Sequence, residues 1–64
     1  MPFIRISMTA GRSDEQKAEL ASVITEAMVR VVGATPKGTV IVFDDVPKNN
    51  WASAGELSSR RQSA

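Results

Sequence analysis

Residues 40–43, Val-Ile-Val-Phe, constrain the fold of this chain more than any other stretch. They form the centre of a predicted strand, residues 39–45. All four are apolar, without the alternation of apolar and polar residues that is typical of a strand with one exposed face. Because successive side chains of a strand point to opposite faces of its sheet, this run needs an apolar cover on both faces.

A long amphipathic helix is predicted before this strand. Its apolar residues recur at three- and four-residue steps: Leu20, Val23, Ile24, Ala27, Met28 and Val31. Ser13 is suited to cap the amino end, Gln16 completes a capping box with it, and Gly33 is suited to end the helix. The pattern predicts a helix over residues 14–32.

A first strand is predicted over residues 2–8, with Ile4, Ile6 and Met8 on one face. Strand, helix and strand form an α+β fold of the β-α-β type, with two parallel strands joined by a right-handed crossover. One helix covers only one face of a two-stranded sheet. We therefore expect a partner subunit to cover the other face, so that oligomerisation completes the fold.

Size and composition agree with an oligomer. The chain has 64 residues, which we interpret as a single domain, and it lacks cysteine and histidine. A core this small contributes little stability alone, and the missing residue types exclude disulfides and thiolate or imidazole metal sites.

The charges are nearly balanced, with eight Lys and Arg against seven Asp and Glu, which argues against a nucleic-acid binder. No apolar run approaches a membrane span, and a cytoplasmic location is expected.

Pro2 is the candidate for unusual chemistry. If Met1 is removed, Pro2 presents a free secondary amine; if Met1 stays, the same nitrogen is a tertiary amide without basicity. An ordinary α-amino group has a pKa of about 7.7–8.0. An apolar pocket and a nearby guanidinium both disfavour the ammonium form, and so would lower that pKa and make the amine a base near neutral pH.

The chain resembles the 4-oxalocrotonate tautomerase family. The resemblance rests on the N-terminal proline, on residues 11–17 (Gly-Arg-Ser-Asp-Glu-Gln-Lys) and on residues 51–57 (Trp-Ala-Ser-Ala-Gly-Glu-Leu), and it covers nearly the whole chain. It implies a single tautomerase-like domain over residues 1–64. It also implies a homohexamer built as a trimer of dimers, and a reaction that requires neither a cofactor nor a metal.

The resemblance also assigns roles to single residues. Pro2 matches the family's catalytic proline, Arg12 matches an arginine that binds a substrate carboxylate, and Trp51 matches an aromatic residue that lines the pocket. A second family arginine, in the second strand, is replaced here by Val40. Two residues have competing interpretations: Arg12 as a solvated surface charge, and Trp51 as a lid that packs over a subunit interface.

The predicted function is keto–enol conversion of a 2-hydroxydienoate or enolpyruvate-type acid, with Pro2 as general base and then general acid. Val40 argues against two-armed recognition of a dicarboxylate and favours monocarboxylates such as phenylenolpyruvate. A non-catalytic structural subunit, or one half of a hetero-oligomeric tautomerase, is the main alternative. A peptide-binding module that uses the sheet edge is a third.

Two adjacent aspartates, Asp44 and Asp45, raise the question of a carboxylate pair. Neighbouring strand residues point to opposite faces, so these two do not share a site within one chain. The sequence predicts them to be solvated charges at the end of the second strand.

Overall fold

Strands β1 (Phe3–Thr9) and β2 (Val40–Val46) pair in parallel, and helix α1 (Asp14–Val32) connects them. These are the bounds in the computed structural model, which describes residues 2–60. The predicted β-α-β architecture is confirmed, and each strand begins and ends one residue later than the sequence pattern indicated. Residue 1 and residues 61–64, the ends of the predicted domain, lie outside the described residues.

Local capping fixes both ends of α1. The backbone N–H of Gln16 donates to Ser13 Oγ at 3.1 Å, and the backbone N–H of Ser13 donates to Gln16 Oε1 at 3.0 Å. At the other end Gly33 adopts the left-handed conformation with φ 74°, and its N–H donates to the Val29 carbonyl. The helix therefore has the bounds that its capping residues predict.

The helix covers one face of the sheet. Ile4 pairs with Ile41 and Ile6 with Phe43, and all four are half-buried on the side that carries α1. The opposite side, here called the open face, comprises Phe3, Arg5, Ser7, Val40, Val42 and Asp44.

Apolar side chains on the open face remain in contact with solvent. Phe3 is 61% exposed and Val40 is 45% exposed. Within residues 2–60 no side chain is fully buried in the single chain. A chain without a closed core agrees with the expectation that another subunit covers this face.

A short antiparallel hairpin follows β2. Residues 48–50 form a 3₁₀ turn, and β3 (Ala52–Ser53) then pairs with β4 (Glu56–Leu57). The two turn residues both have positive φ, 55° at Ala54 and 79° at Gly55, as a type I′ turn requires. A second 3₁₀ turn covers residues 58–60. Among residues 2–60, no helix combines the length and the apolar character that a membrane crossing requires.

Candidate active site

Pro2 lies at the amino end of the sheet. It is half-buried, and its carbonyl oxygen accepts a hydrogen bond from the backbone N–H of Val40 at 3.0 Å. This contact follows from the parallel register in which Phe3 pairs with Val40, which brings the amino ends of both strands to the same edge of the sheet. Val40, the position of the missing arginine, is therefore the direct neighbour of Pro2.

Arg12 lies at the opposite end of the sheet, in the segment between β1 and α1. Gly11 before it has φ 130°, a conformation that side-chain-bearing residues rarely adopt, and this turns the chain toward the helix. Arg12 is exposed, and nothing within residues 2–60 forms an ion pair with its guanidinium. A free guanidinium that presents a planar fork of donors suits a carboxylate ligand.

A groove beside Arg12 gives this guanidinium a binding surface. The groove, here called the Arg12 groove, has a volume of about 360 Å³. Its lining residues come from the end of β1, the connection and the first half of α1: Met8, Arg12, Gln16, Lys17, Glu19, Leu20 and Val23. Because Met8, Leu20 and Val23 supply apolar surface beside a cation, the groove fits a carboxylate with a hydrocarbon body.

Pro2 and Arg12 do not meet within one chain. The seven residues of β1 lie between them, and at about 3.3 Å per residue the strand alone separates them by roughly 20 Å. A small organic acid cannot span that distance. A site that uses both residues therefore needs Pro2 from one chain and Arg12 from another.

Trp51 follows the carboxyl end of β2, the same end of the sheet that carries Arg12. Its backbone N–H donates to the Lys48 carbonyl at 3.4 Å, and its carbonyl accepts from the Ser58 N–H at 2.8 Å. These bonds anchor it between the 3₁₀ turn and the hairpin. Trp51 is half-buried but does not line the Arg12 groove.

The two aspartates of β2 lie on opposite faces and keep exposed carboxylates, as predicted, and each also forms an ion pair that the sequence did not predict. Asp44 Oδ2 accepts from Arg5 Nη2 and Ser7 Oγ, both at 3.3 Å, on the open face. Asp45 Oδ2 accepts from Lys17 Nζ on the helix side. Sequence spacing could not reveal these pairs, because the strand register and the crossover bring the partners together.

The sequence model of the family described as "Tautomerase enzyme" matches residues 2–61. The chain belongs to the tautomerase family. A relative from Comamonas testosteroni, a 2-hydroxymuconate tautomerase, is 46% identical over 55 residues, covering 86% of this chain and 87% of the relative. The recognition made from residues 11–17 and 51–57 is confirmed.

Solved structures of tautomerases share the fold. One homologue of 4-oxalocrotonate tautomerase superimposes with a TM-score of 0.89 at 33% identity, covering 95% of this chain and all of that one. Another, described as a heterohexamer 4-oxalocrotonate tautomerase from Chloroflexus aurantiacus, has a TM-score of 0.87 at 32% identity, with 94% and 97% coverage. This tautomerase thus has structural neighbours that include an oligomer of unlike chains.

Sequence reasoning missed part of this tautomerase's groove. Met8 was predicted to share a face of the first strand with Ile4 and Ile6, and it also lines the groove beside Arg12. Gln16, Leu20 and Val23 recur at three- and four-residue steps from Arg12 onward, a spacing that places them on one side of α1. That spacing was the available signal. Lys17, three residues before Leu20, has the same spacing, but its ion pair could not be predicted because Asp45 is 28 residues away in sequence.

Proposed function

We propose that this tautomerase interconverts the enol and keto forms of a 2-hydroxydienoate or enolpyruvate-type carboxylic acid, with the Pro2 amine as the proton carrier. One observation carries the proposal: this member of the tautomerase family has Pro2 immediately before β1, and its Arg12, which forms no ion pair within residues 2–60, lies in a groove with apolar walls. The reaction requires a base and an anchor for a carboxylate, and these two residues supply them.

The proton transfer has two steps. The neutral Pro2 nitrogen takes the proton of the substrate's enol hydroxyl, and the oxygen electron pair then forms the carbonyl. The carbon–carbon double bond supplies the electrons that capture a proton at carbon, and the protonated Pro2 amine donates that proton. The amine returns to its neutral form, so one group serves as base and then as acid.

Arg12 and Trp51 complete the proposed site from other chains. Arg12 binds the substrate carboxylate and polarises the substrate, while Trp51 provides an apolar wall that excludes water. The roughly 20 Å between Pro2 and Arg12 within a chain supports a site shared between subunits. A homohexamer arranged as a trimer of dimers is the assembly that we propose, supported by the uncovered open face.

Val40 limits the proposed substrate class. A dicarboxylate such as 2-hydroxymuconate benefits from a second cation, and a valine cannot provide it. We therefore expect monocarboxylates such as phenylenolpyruvate to react at least as well as dicarboxylates.

A substitution at Pro2 tests the mechanism. Pro2→Ala should lower kcat/KM for phenylenolpyruvate ketonisation by about 10²–10⁴-fold, the range for loss of a general acid–base group. Pro36→Ala, a proline change outside the proposed site, is the matched control and should keep wild-type activity. The intact mass of each sample establishes whether Met1 has been removed. A Pro2→Ala variant as fast as the wild type would refute the role of Pro2.

A non-catalytic or hetero-oligomeric subunit is the second candidate, favoured by Val40 and by the structural neighbour described as a heterohexamer. Under this alternative, the purified chain alone ketonises phenylenolpyruvate no faster than buffer does. A rate well above that of buffer, from a sample shown by native mass to contain one chain type, would argue against it.

A further inference from the structure

An ion pair connects the start of α1 to the end of β2 beside the Arg12 groove. Lys17 Nζ donates to Asp45 Oδ2, and the Lys17 side chain, itself part of the groove lining, is only 22% exposed. Asp45 lies next to Val46, whose carbonyl oxygen accepts a hydrogen bond from the Ala10 N–H at 2.9 Å.

Two adjacent residues of β2 therefore hold the chain on both sides of Arg12. Val46 holds Ala10 before it, and Asp45 holds Lys17 after it. Arg12 has no ion-pair partner among residues 2–60, so its position is set by the attachments of the segment that carries it: these two and the Ser13–Gln16 cap.

We propose that Asp45, through Lys17, is a positioning residue that fixes Arg12 for carboxylate binding. The inference rests on the proposed function, in which Arg12 binds the substrate. Asp45 also occupies the Lys17 ammonium, so Arg12 is the cation of the groove that is left for a carboxylate. Neither Lys17 nor Asp45 needs to touch the substrate.

The test is steady-state kinetics of phenylenolpyruvate ketonisation with Asp45→Asn and Lys17→Met. We expect each variant to raise KM by about 5- to 20-fold and to change kcat by less than about 3-fold. This pattern reports the loss of binding energy that the substrate and the transition state share equally. Lys17→Arg, which can still pair with Asp45, should keep KM close to the wild-type value. Because the pair is partly exposed, it contributes little to folding stability, and Asp45→Asn should unfold at nearly the wild-type temperature.

Asp44→Asn is the matched control. It removes the same charge from the neighbouring residue, whose exposure is similar, but on the opposite face of the sheet. Its KM should stay unchanged at a protein concentration where native mass shows the wild-type assembly, because Asp44 lies on the open face that a partner is proposed to cover. If Asp44→Asn raises KM as much as Asp45→Asn does, or if Asp45→Asn leaves KM unchanged, the positioning role is wrong. If Asp45→Asn lowers KM while Lys17→Met raises it, Lys17 itself binds the carboxylate, and the proposal is also overturned.

A binding measurement separates this inference from the proposed function. 3-Phenylpropionate has a carboxylate and an apolar body but no enol, so its dissociation constant reports the groove without chemistry. If the wild type is inactive but binds this acid, and Asp45→Asn weakens the binding about 5- to 20-fold, positioning holds and the proposed reaction fails. If the wild type is active, and Asp45→Asn changes neither KM for phenylenolpyruvate nor the dissociation constant of 3-phenylpropionate, only the positioning role is wrong. A wild type that neither reacts nor binds overturns both.

Discussion

The backbone N–H of Val40 donates to the carbonyl oxygen of Pro2 at 3.0 Å. The proposed base and the position of the missing arginine are therefore adjacent at the amino edge of the sheet. Their proximity follows from the parallel register in which Phe3 pairs with Val40. A side chain at position 40 is thus well placed to influence which acids the site accepts.

Val40→Arg should convert the preferred substrate from a monocarboxylate to a dicarboxylate. A guanidinium at this edge offers a charge-assisted bond to a second carboxylate, worth about 1.5–3 kcal/mol. We expect KM for 2-hydroxymuconate to fall about 10- to 100-fold relative to KM for phenylenolpyruvate. Steady-state kinetics with both substrates checks this.

Val40→Gln is the control for this change, because glutamine adds length and hydrogen bonding without charge. It should leave the ratio of the two KM values within about 3-fold of wild type, far below the effect of a charged bond. Equal effects of the glutamine and arginine variants would mean that charge at position 40 does not determine the preference.

Ser13→Ala should weaken the amino end of α1. The substitution removes the oxygen that accepts the Gln16 N–H, and the loss of such a cap costs about 1 kcal/mol. Ser22→Ala, an exposed serine inside the same helix, should be neutral or slightly stabilising, because alanine is the better helix former. Urea unfolding followed by circular dichroism at one protein concentration measures both. Similar stability of the two variants would contradict the capping role.

The sequence predicted the helix bounds because local groups set them: Ser13 and Gln16 at one end and Gly33 at the other. The strand bounds shifted by one residue because pairing sets them, as the bond from Ala10 to Val46 shows at the carboxyl edge. The residue pattern of a single segment does not indicate contacts with residues that are distant in sequence.

The candidate site likewise has features that the sequence predicted and features that only the folded structure reveals. Roles for Pro2, Arg12 and Trp51 came from the family resemblance and remain predictions. The pair between Lys17 and Asp45 joins residues 28 positions apart, so only the crossover geometry could reveal it. The separation of Pro2 from Arg12, by contrast, follows from the length of β1, and the sequence pattern did predict a strand between these two residues.

Phe3→Asp should break the assembly that we propose. Phe3 is 61% exposed on the open face, and a carboxylate there would have to lose its water when a partner covers the sheet. We expect native mass spectrometry to show a smaller species and the unfolding temperature to fall. Ala18→Asp, on an exposed part of α1, is the control and should assemble normally. A Phe3→Asp variant with the wild-type mass would mean that the open face is not an interface.

Ala54→Asn should stabilise the protein through the hairpin turn. Ala54 has φ 55°, a left-handed conformation that costs an ordinary residue about 1–2 kcal/mol and that asparagine adopts more readily. The substitution also creates Asn-Gly at residues 54–55, the pair most favoured in a type I′ turn. We expect a gain of about 0.5–1 kcal/mol in urea unfolding at fixed protein concentration. Ala52→Asn, in the extended strand β3, is the control and should not stabilise, because asparagine is disfavoured in strands. Equal gains from both variants would mean that the benefit does not come from relief of the left-handed backbone at Ala54.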